Sequence, residues 1–204
     1  EGTVSYTNLL CIPSSKPFDL FNPDRKSSLK LYINRVFITD KCDNLIPAYL
    51  RFVKGIVDTQ DIDLNVSREM LQNNPAVAKI SKSLVGKILR ELKKIADKDK
   101  AKYIQFWNEF GQVLKEGLYE DLERKDTLLE LARFSNNEND DLISLEDYVN
   151  AMDKNQKDIY YIAADTKSQA LSSPHLEGFK SKGIKVLVMA DPIDQFWLSM
   201  AGQF

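Results

Sequence analysis

The sequence predicts an α/β fold: a larger α-β-α layered domain, a helical connector, and a smaller α/β domain with a short parallel sheet. Three observations carry this. Short runs of alternating or continuous apolar residues, the period of strands, fill much of 3–57 and return at 158–163 and 184–189. Between Val77 and Phe134 the apolar residues instead recur at three and four, the period of helices. The strand-helix-strand-helix order at the C-terminal end needs a long crossover, and such a crossover joins parallel strands with a right-handed turn. The expected divisions are 1–100 for the larger domain (with a strand-to-helix corner at 61–75), 101–140 for the connector and 141–204 for the smaller domain.

Taken in order, 3–12 and 29–39 read as strands, separated by a loop containing Pro13, Pro17 and Pro23 and anchored by Phe18, Leu20 and Phe21. Residues 45–50 form a short helix and 52–57 a third strand. At the corner, Ile62, Leu64 and Val66 alternate with Asp63, Asn65 and Ser67, as in a short strand. Ser67 then suits an N-cap, and Asn74-Pro75 restarts a helix as cap and first residue. That helix has an apolar stripe (Val77, Ile80, Leu84, Ile88, Leu92, Ile95) and a basic remainder including Lys79, Lys82, Lys87 and Arg90. The next carries Tyr103, Phe106, Trp107, Phe110 and Leu114 at helical spacing, a core pattern, and 122–134 gives one more. Residues 135–141 read as a polar linker. Ser144 and Asp147 stand three apart, close to a capping box. Residues 158–163 read as a buried strand, 166–182 as helical with a break at Pro174 and 184–189 as a second apolar strand, and 192–200 close with a helix.

Composition removes several function classes. The 204 residues are 43% apolar and 28% charged, the make-up of a globular protein, and a chain of this size buries roughly 70% of its unfolded surface. A formal net charge of −2 lacks the basic excess of a dedicated nucleic-acid binder. No apolar run approaches the roughly 18 residues that span a bilayer, and Glu1-Gly2-Thr3 does not open a signal peptide. Cys11 and Cys42 are too few for a disulfide framework or a metal cluster, which fits a reducing cytoplasm. Cys11, in an apolar run, is expected to be buried. The single histidine, His175, has no Cys or His cluster around it, so neither a metal site nor a histidine triad is expected. No Gly-rich phosphate loop occurs.

The corner holds the most specific chemistry. Arg68 and Gln72 are four apart and share a face of a helical turn, at a helix start whose amides already favour an anion. A planar, always-charged donor beside an amide donor would hold phosphate there. The same spacing equally suits a capping sequence with a solvated arginine. A free-standing α/β enzyme binding a phosphorylated metabolite at Asn65, Arg68 and Gln72 is therefore one reading. An RNA-binding module on the lysines of 79–102 is another, although that helix lacks stacking aromatics.

The residues of the corner, Leu64-Asn65-Val66-Ser67-Arg68-Glu69-Met70-Leu71-Gln72, resemble the catalytic-loop motif of the ninety-kilodalton heat-shock chaperone family. Arg35-Val36-Phe37-Ile38-Thr39-Asp40, the run from Leu45 to Asp58, Ile159-Tyr160-Tyr161-Ile162 and Asp191-Pro192-Ile193-Asp194 are similar to further motifs of its middle domain. The run from Pro13 to Phe21 is closer to the bacterial, HtpG-type branch. The resemblance implies a middle segment whose N-terminal nucleotide-binding domain and C-terminal dimerisation domain lie outside this chain, in a cytoplasmic homodimer. It implies that Arg68 reaches the γ-phosphate of ATP, with Mg2+, held by that N-terminal domain. Gln72 would donate to the same phosphate or its attacking water, and Asn65 would hold the loop. The segment would then be no enzyme alone but part of an ATPase. The resemblance also implies contact with unfolded or partly folded client proteins through Gln195, Phe196, Trp197 and Ser199, with no nucleic acid and no membrane involved. One ring of Phe196-Trp197 has to cover the small sheet, and the sequence does not fix which.

Overall fold

The computed structural model describes residues 4–22, 28–40, 42, 44–64, 70–71 and 73–199. The chain forms two compact units, 1–95 and 96–204.

The first unit is built on a four-stranded mixed sheet in the order β1-β4-β2-β3, with β1 at Tyr6–Cys11, β2 at Ser28–Ile33, β3 at Val36–Thr39 and β4 at Lys54–Thr59. β2 runs parallel to β4 and antiparallel to β3, and β1 runs antiparallel to β4. Alternate residues of a strand face one side, and Leu29, Leu31 and Ile33 of β2 are all fully buried. Gly55, paired with Leu10, has φ +151°, and a Cβ there would stand 2.0 Å from the Leu9 carbonyl oxygen. Only glycine lets the two backbones approach so closely.

The expected single strand at 29–39 is instead a hairpin. Asn34 and Arg35 turn it with φ of 49° and 66°, the left-handed region that tight hairpin turns require. Neither residue is glycine, so neighbours hold the turn: the Asn34 amide donates to the Thr59 carbonyl at 3.0 Å and the Arg35 amide to Asp58 Oδ1 at 3.1 Å. Four further expectations change. Residues 61–64 form bends and a turn rather than a strand. The short helix at 45–50 is a 3-10 turn at Ala48–Leu50. Of the loop anchors only Leu20 is buried, while Phe18 and Phe21 are exposed; Arg51 Nε fixes the loop by donating to the Leu20 carbonyl at 2.8 Å. Cys11 is exposed as well, because it shares the outward side of β1 with Thr7 and Leu9.

Helix α1, Pro75–Lys98, follows the predicted stripe. Asn74 Oδ1 accepts from the Ala76 amide at 2.8 Å, satisfying a donor that the first turn leaves open. Val77, Ile80, Leu84, Ile88 and Leu92 are buried, and the basic residues lie on the exposed side. Tyr6 donates its hydroxyl to Ser83 Oγ at 2.7 Å and Lys87 Nζ donates to Asn8 Oδ1 at 3.3 Å, so α1 lies along β1.

The second unit begins with α2, Lys100–Glu120, capped by Asp99, which accepts from the Lys102 amide. Its aromatic stripe is core: Tyr103, Trp107 and Phe110 are buried, and the Trp107 ring lies over Gly111, where a Cβ would come within 2.5 Å of it. The helix expected at 122–134 is a 3-10 turn, Leu122–Arg124, followed by α3, Lys125–Leu131. The stretch expected to be a polar linker contributes β5, Ser135–Asn136, and α4, Leu145–Asn150, follows. β6, Tyr161–Ala163, then leads through α5, Lys167–Leu171, and α6, Glu177–Ser181, to β7, Leu187–Met189, and α7, Asp194–Leu198. β6 and β7 are parallel, as predicted, and β5 pairs antiparallel on the other side of β7. β7 is fully buried, but β6, expected to be a buried strand, is a partly exposed edge.

Candidate functional site

Asn65, Arg68 and Gln72 lie outside the described residues, and their two flanks are well fixed. Upstream, Thr59 is fully buried and donates its hydroxyl to the Ser5 carbonyl at 3.0 Å while accepting from the Asp61 amide at 3.3 Å. Asp61 accepts from the Ser5 amide through Oδ2. Ile62 is buried at 4% exposure and Leu71 at 2%, so apolar side chains pin the chain on either side of 65–69. Downstream, the Asn74 amide donates to the Leu71 carbonyl at 3.3 Å, and Asn74 then caps α1. Asp63, Leu64 and Met70 are exposed.

The second candidate group sits on α7. Gln195 and Ser199 are exposed, Phe196 is 57% exposed, and Trp197 is buried at 2%. Ser199 donates its hydroxyl to the Phe196 carbonyl at 2.7 Å. Phe196 meets the exposed ring of Tyr119 from α2 edge-on, with centroids 6.1 Å apart. The sequence left open which ring faces outward; the structure seats Trp197 and exposes Phe196.

What seats Trp197 escaped the sequence reading. Its Nε1 donates to Asp194 Oδ1 at 2.8 Å. The Asp194 carboxylate is fully buried and accepts from Lys115 Nζ at 2.9 and 3.1 Å, and from the Asp191 amide at 3.0 Å. Lys115 also reaches Asp191 Oδ2 at 2.8 Å. A lysine on the buried side of α2, among Gly111, Leu114 and Leu118, was the available signal: a cation there needs an acid from elsewhere in the chain.

A cavity of about 430 Å³ in the same unit is lined by Lys100, Tyr103, Arg133, Leu142 and Asp147, among others. Its polar groups mostly serve the fold. Tyr103 donates its hydroxyl to the Leu131 carbonyl at 2.7 Å, and burial pushes the phenol well above its usual range. Arg133 lies 4.7 Å from the Tyr103 ring centre and donates to the carbonyls of Glu130, Leu131 and Ala132, which the end of α3 leaves open. The Ser144 hydroxyl beside Asp147 holds that carboxyl below its ordinary range.

A mixed sheet beside a long helix, followed by a second α/β unit with a short sheet of its own, is the arrangement of a chaperone middle domain. The family model described as Hsp90 protein matches residues 1–204, and the chain belongs to that family. Among its relatives, the chaperone protein HtpG of Paramagnetospirillum magneticum is 57% identical over 199 residues, covering 98% of this chain and 32% of that protein. The HtpG of Roseobacter denitrificans is 52% identical over 204 residues, covering all of this chain and 33% of its own length. A solved middle domain of a Plasmodium falciparum putative heat shock protein superposes with a TM-score of 0.83 at 34% identity, covering 98% of this chain and 78% of that one. The chain thus spans about a third of the length of the curated relatives it matches.

Proposed function

We propose that this chain is the coupling and client-contact segment of an ATP-dependent, HtpG-type chaperone. Residues 1–100 carry the corner, 101–140 act as connector and 141–204 carry the client helix. The observation that supports this is the family match over the whole chain, together with a corner whose residues Asn65, Arg68 and Gln72 agree with the family's catalytic loop. Charge on the oxygens of a transferring phosphoryl group must be stabilised in the transition state, and a guanidinium fork does this well. Arg68 meets the γ-phosphate of ATP, bound with Mg2+ in the N-terminal domain. Gln72 orients the same phosphate or its water, and Asn65 braces the loop. Because the arginine comes from another domain, hydrolysis waits for domain closure. The segment completes an ATPase without being an enzyme alone, in a cytoplasmic dimer assembled through its C-terminal domain. Clients meet the exposed edge of α7 at Gln195, Phe196 and Ser199, with Trp197 behind them.

The test is ATP turnover by the full-length protein. Arg68→Ala should lower it by about 10³-fold, the lower end of what arginine fingers contribute. Arg68→Lys should recover little, since it keeps the charge and loses the planar fork. Near wild-type turnover in both variants ends the assignment.

A further inference from the structure

Helix α7 is five residues long, too short to hold its own orientation. Yet two adjacent rings on it have opposite fates, Trp197 at 2% exposure and Phe196 at 57%. Neighbouring helical residues point about 100° apart, so whatever seats Trp197 also sets the direction of Phe196.

The seat is electrostatic as well as apolar. Asp194 Oδ1 accepts from both Lys115 and the Trp197 indole, and Oδ2 accepts from Lys115 and the Asp191 amide. Both oxygens are filled. Burying a carboxylate this deeply is costly unless a cation pairs with it, and Lys115, itself 4% exposed, is that cation. Its ammonium group lies 4.9 Å from the centre of the Phe134 ring, which in turn stands 6.2 Å from the Trp197 ring. Four residues further along α2, on the same helical face, Tyr119 meets Phe196. One face of α2 therefore supplies both the cation that locks α7 and the ring beside its exposed aromatic.

We infer that Lys115 is the positioning residue of the client-contact helix: through Asp194 it seats Trp197 and turns Phe196 outward beside Tyr119. The inference rests on the reading of α7 as a client contact. It also assigns the Asp191-Pro192-Ile193-Asp194 motif a physical task, supplying both acids of the lock.

The test uses the full-length protein labelled with 5-fluorotryptophan, in which the Trp197 fluorine resonance is assigned by its loss in Trp197→Phe. Lys115→Met should broaden or shift that resonance and let a soluble gadolinium chelate relax it several-fold faster. Should the single variant fail to fold, Lys115→Met/Asp194→Leu leaves no unpaired buried charge and still removes the indole's acceptor, with the same expected change. Leu128→Ala, a buried truncation in the same unit, is the control, lowering stability while leaving the resonance protected. Binding of reduced, carboxymethylated α-lactalbumin, read by fluorescence anisotropy, should weaken about tenfold in Lys115→Met and in Phe196→Ala, the loss an anchoring aromatic gives. A Trp197 resonance that stays protected in both Lys115 variants overturns the inference. Parental affinity in Phe196→Ala, with the resonance moved by Lys115→Met, overturns the client reading of α7 and leaves the lock itself standing.

Discussion

In the first unit the sheet strands run six, six, four and six residues beside a helix of 24, whereas the strands of the second unit run two, three and three. Ladders that short fix little backbone, and side-chain hydrogen bonds take over the task in the second unit. Tyr148 is the centre of one such set: its hydroxyl donates to the Lys185 carbonyl at 2.7 Å and accepts from the Tyr160 amide and Gln156 Nε2, each at 3.0 Å. Asn137 extends the edge of the sheet, its Oδ1 accepting from the Val186 amide at 2.8 Å and its Nδ2 donating to the Ile184 carbonyl at 3.3 Å. Asn136, 1% exposed, spends its amide entirely on residues 138–141. Both units bury an apolar core, and the second adds polar satisfaction around its short strands. The difference has consequences for where function can sit. A lock such as Lys115–Asp194 is of a piece with its unit, whereas the described flanks of the corner, Ile62 and Leu71, are held by apolar burial.

The contrast predicts unequal responses to truncation. Leu31→Ala, at a fully buried position of β2 between β3 and β4, should cost about 2–5 kcal/mol, a lost transfer term plus a cavity. Tyr148→Phe removes one oxygen and no apolar bulk, leaving a carbonyl and an amide without their partner, and should cost about 1–3 kcal/mol. Amide hydrogen exchange in the full-length protein reads both, through the opening free energy of β2 and β4 in one case and of β6 and β7 in the other. If Tyr148→Phe proves as harmless as a surface change, the second unit does not depend on its polar links and the contrast fails.

The same division explains how much the sequence disclosed. The stripes of α1 and α2 were legible because a helix that buries one face repeats its apolar residues at a fixed period, and Val77 to Leu92 do so without interruption. The parallel pair of the small sheet was legible from the length of its crossover. The hairpin at Asn34-Arg35 was not, since its left-handed residues are held by Thr59 and Asp58, far away in sequence, rather than by glycine. Residues 135–141 read as a linker because Asn136 and Asn137 are polar, and polarity does not reveal whether an amide is solvated or satisfied inside. For the candidate sites, the sequence named Phe196 and Trp197 together, while only the partners of Asp194 separate them. The corner was read from spacing and family likeness, and its described flanks show the chain pinned at Ile62 and Leu71.

The smallest expected effect lies at the start of α4, where polar satisfaction can be separated from burial by pH. Ser144 Oγ accepts from the Asp147 amide at 2.9 Å, and the Ser144 amide donates to Asp147 Oδ2 at 3.3 Å, a reciprocal box closed by the Ser144 hydroxyl donating to the same carboxylate at 2.8 Å. Ser144→Ala should cost about 1 kcal/mol at neutral pH, the usual worth of an N-cap. Part of that cost is tied to ionisation. The Ser144 hydroxyl is the main reason the Asp147 carboxyl is held below its ordinary value of 3.8, so the native state binds this proton less readily than the unfolded chain. A depressed carboxyl contributes stability that is fully present above the unfolded value and is lost as pH falls through the folded one. The gap between parent and Ser144→Ala should therefore be widest above about pH 5 and narrow as the pH falls through the parent's depressed folded value, below which Asp147 is protonated in both. Asp147→Asn should remove the pH-dependent part and leave the cap of Ser144 on the backbone amide. Urea unfolding at a series of pH values checks this, and a gap that stays constant down to acid conditions would assign the whole effect to the neutral cap.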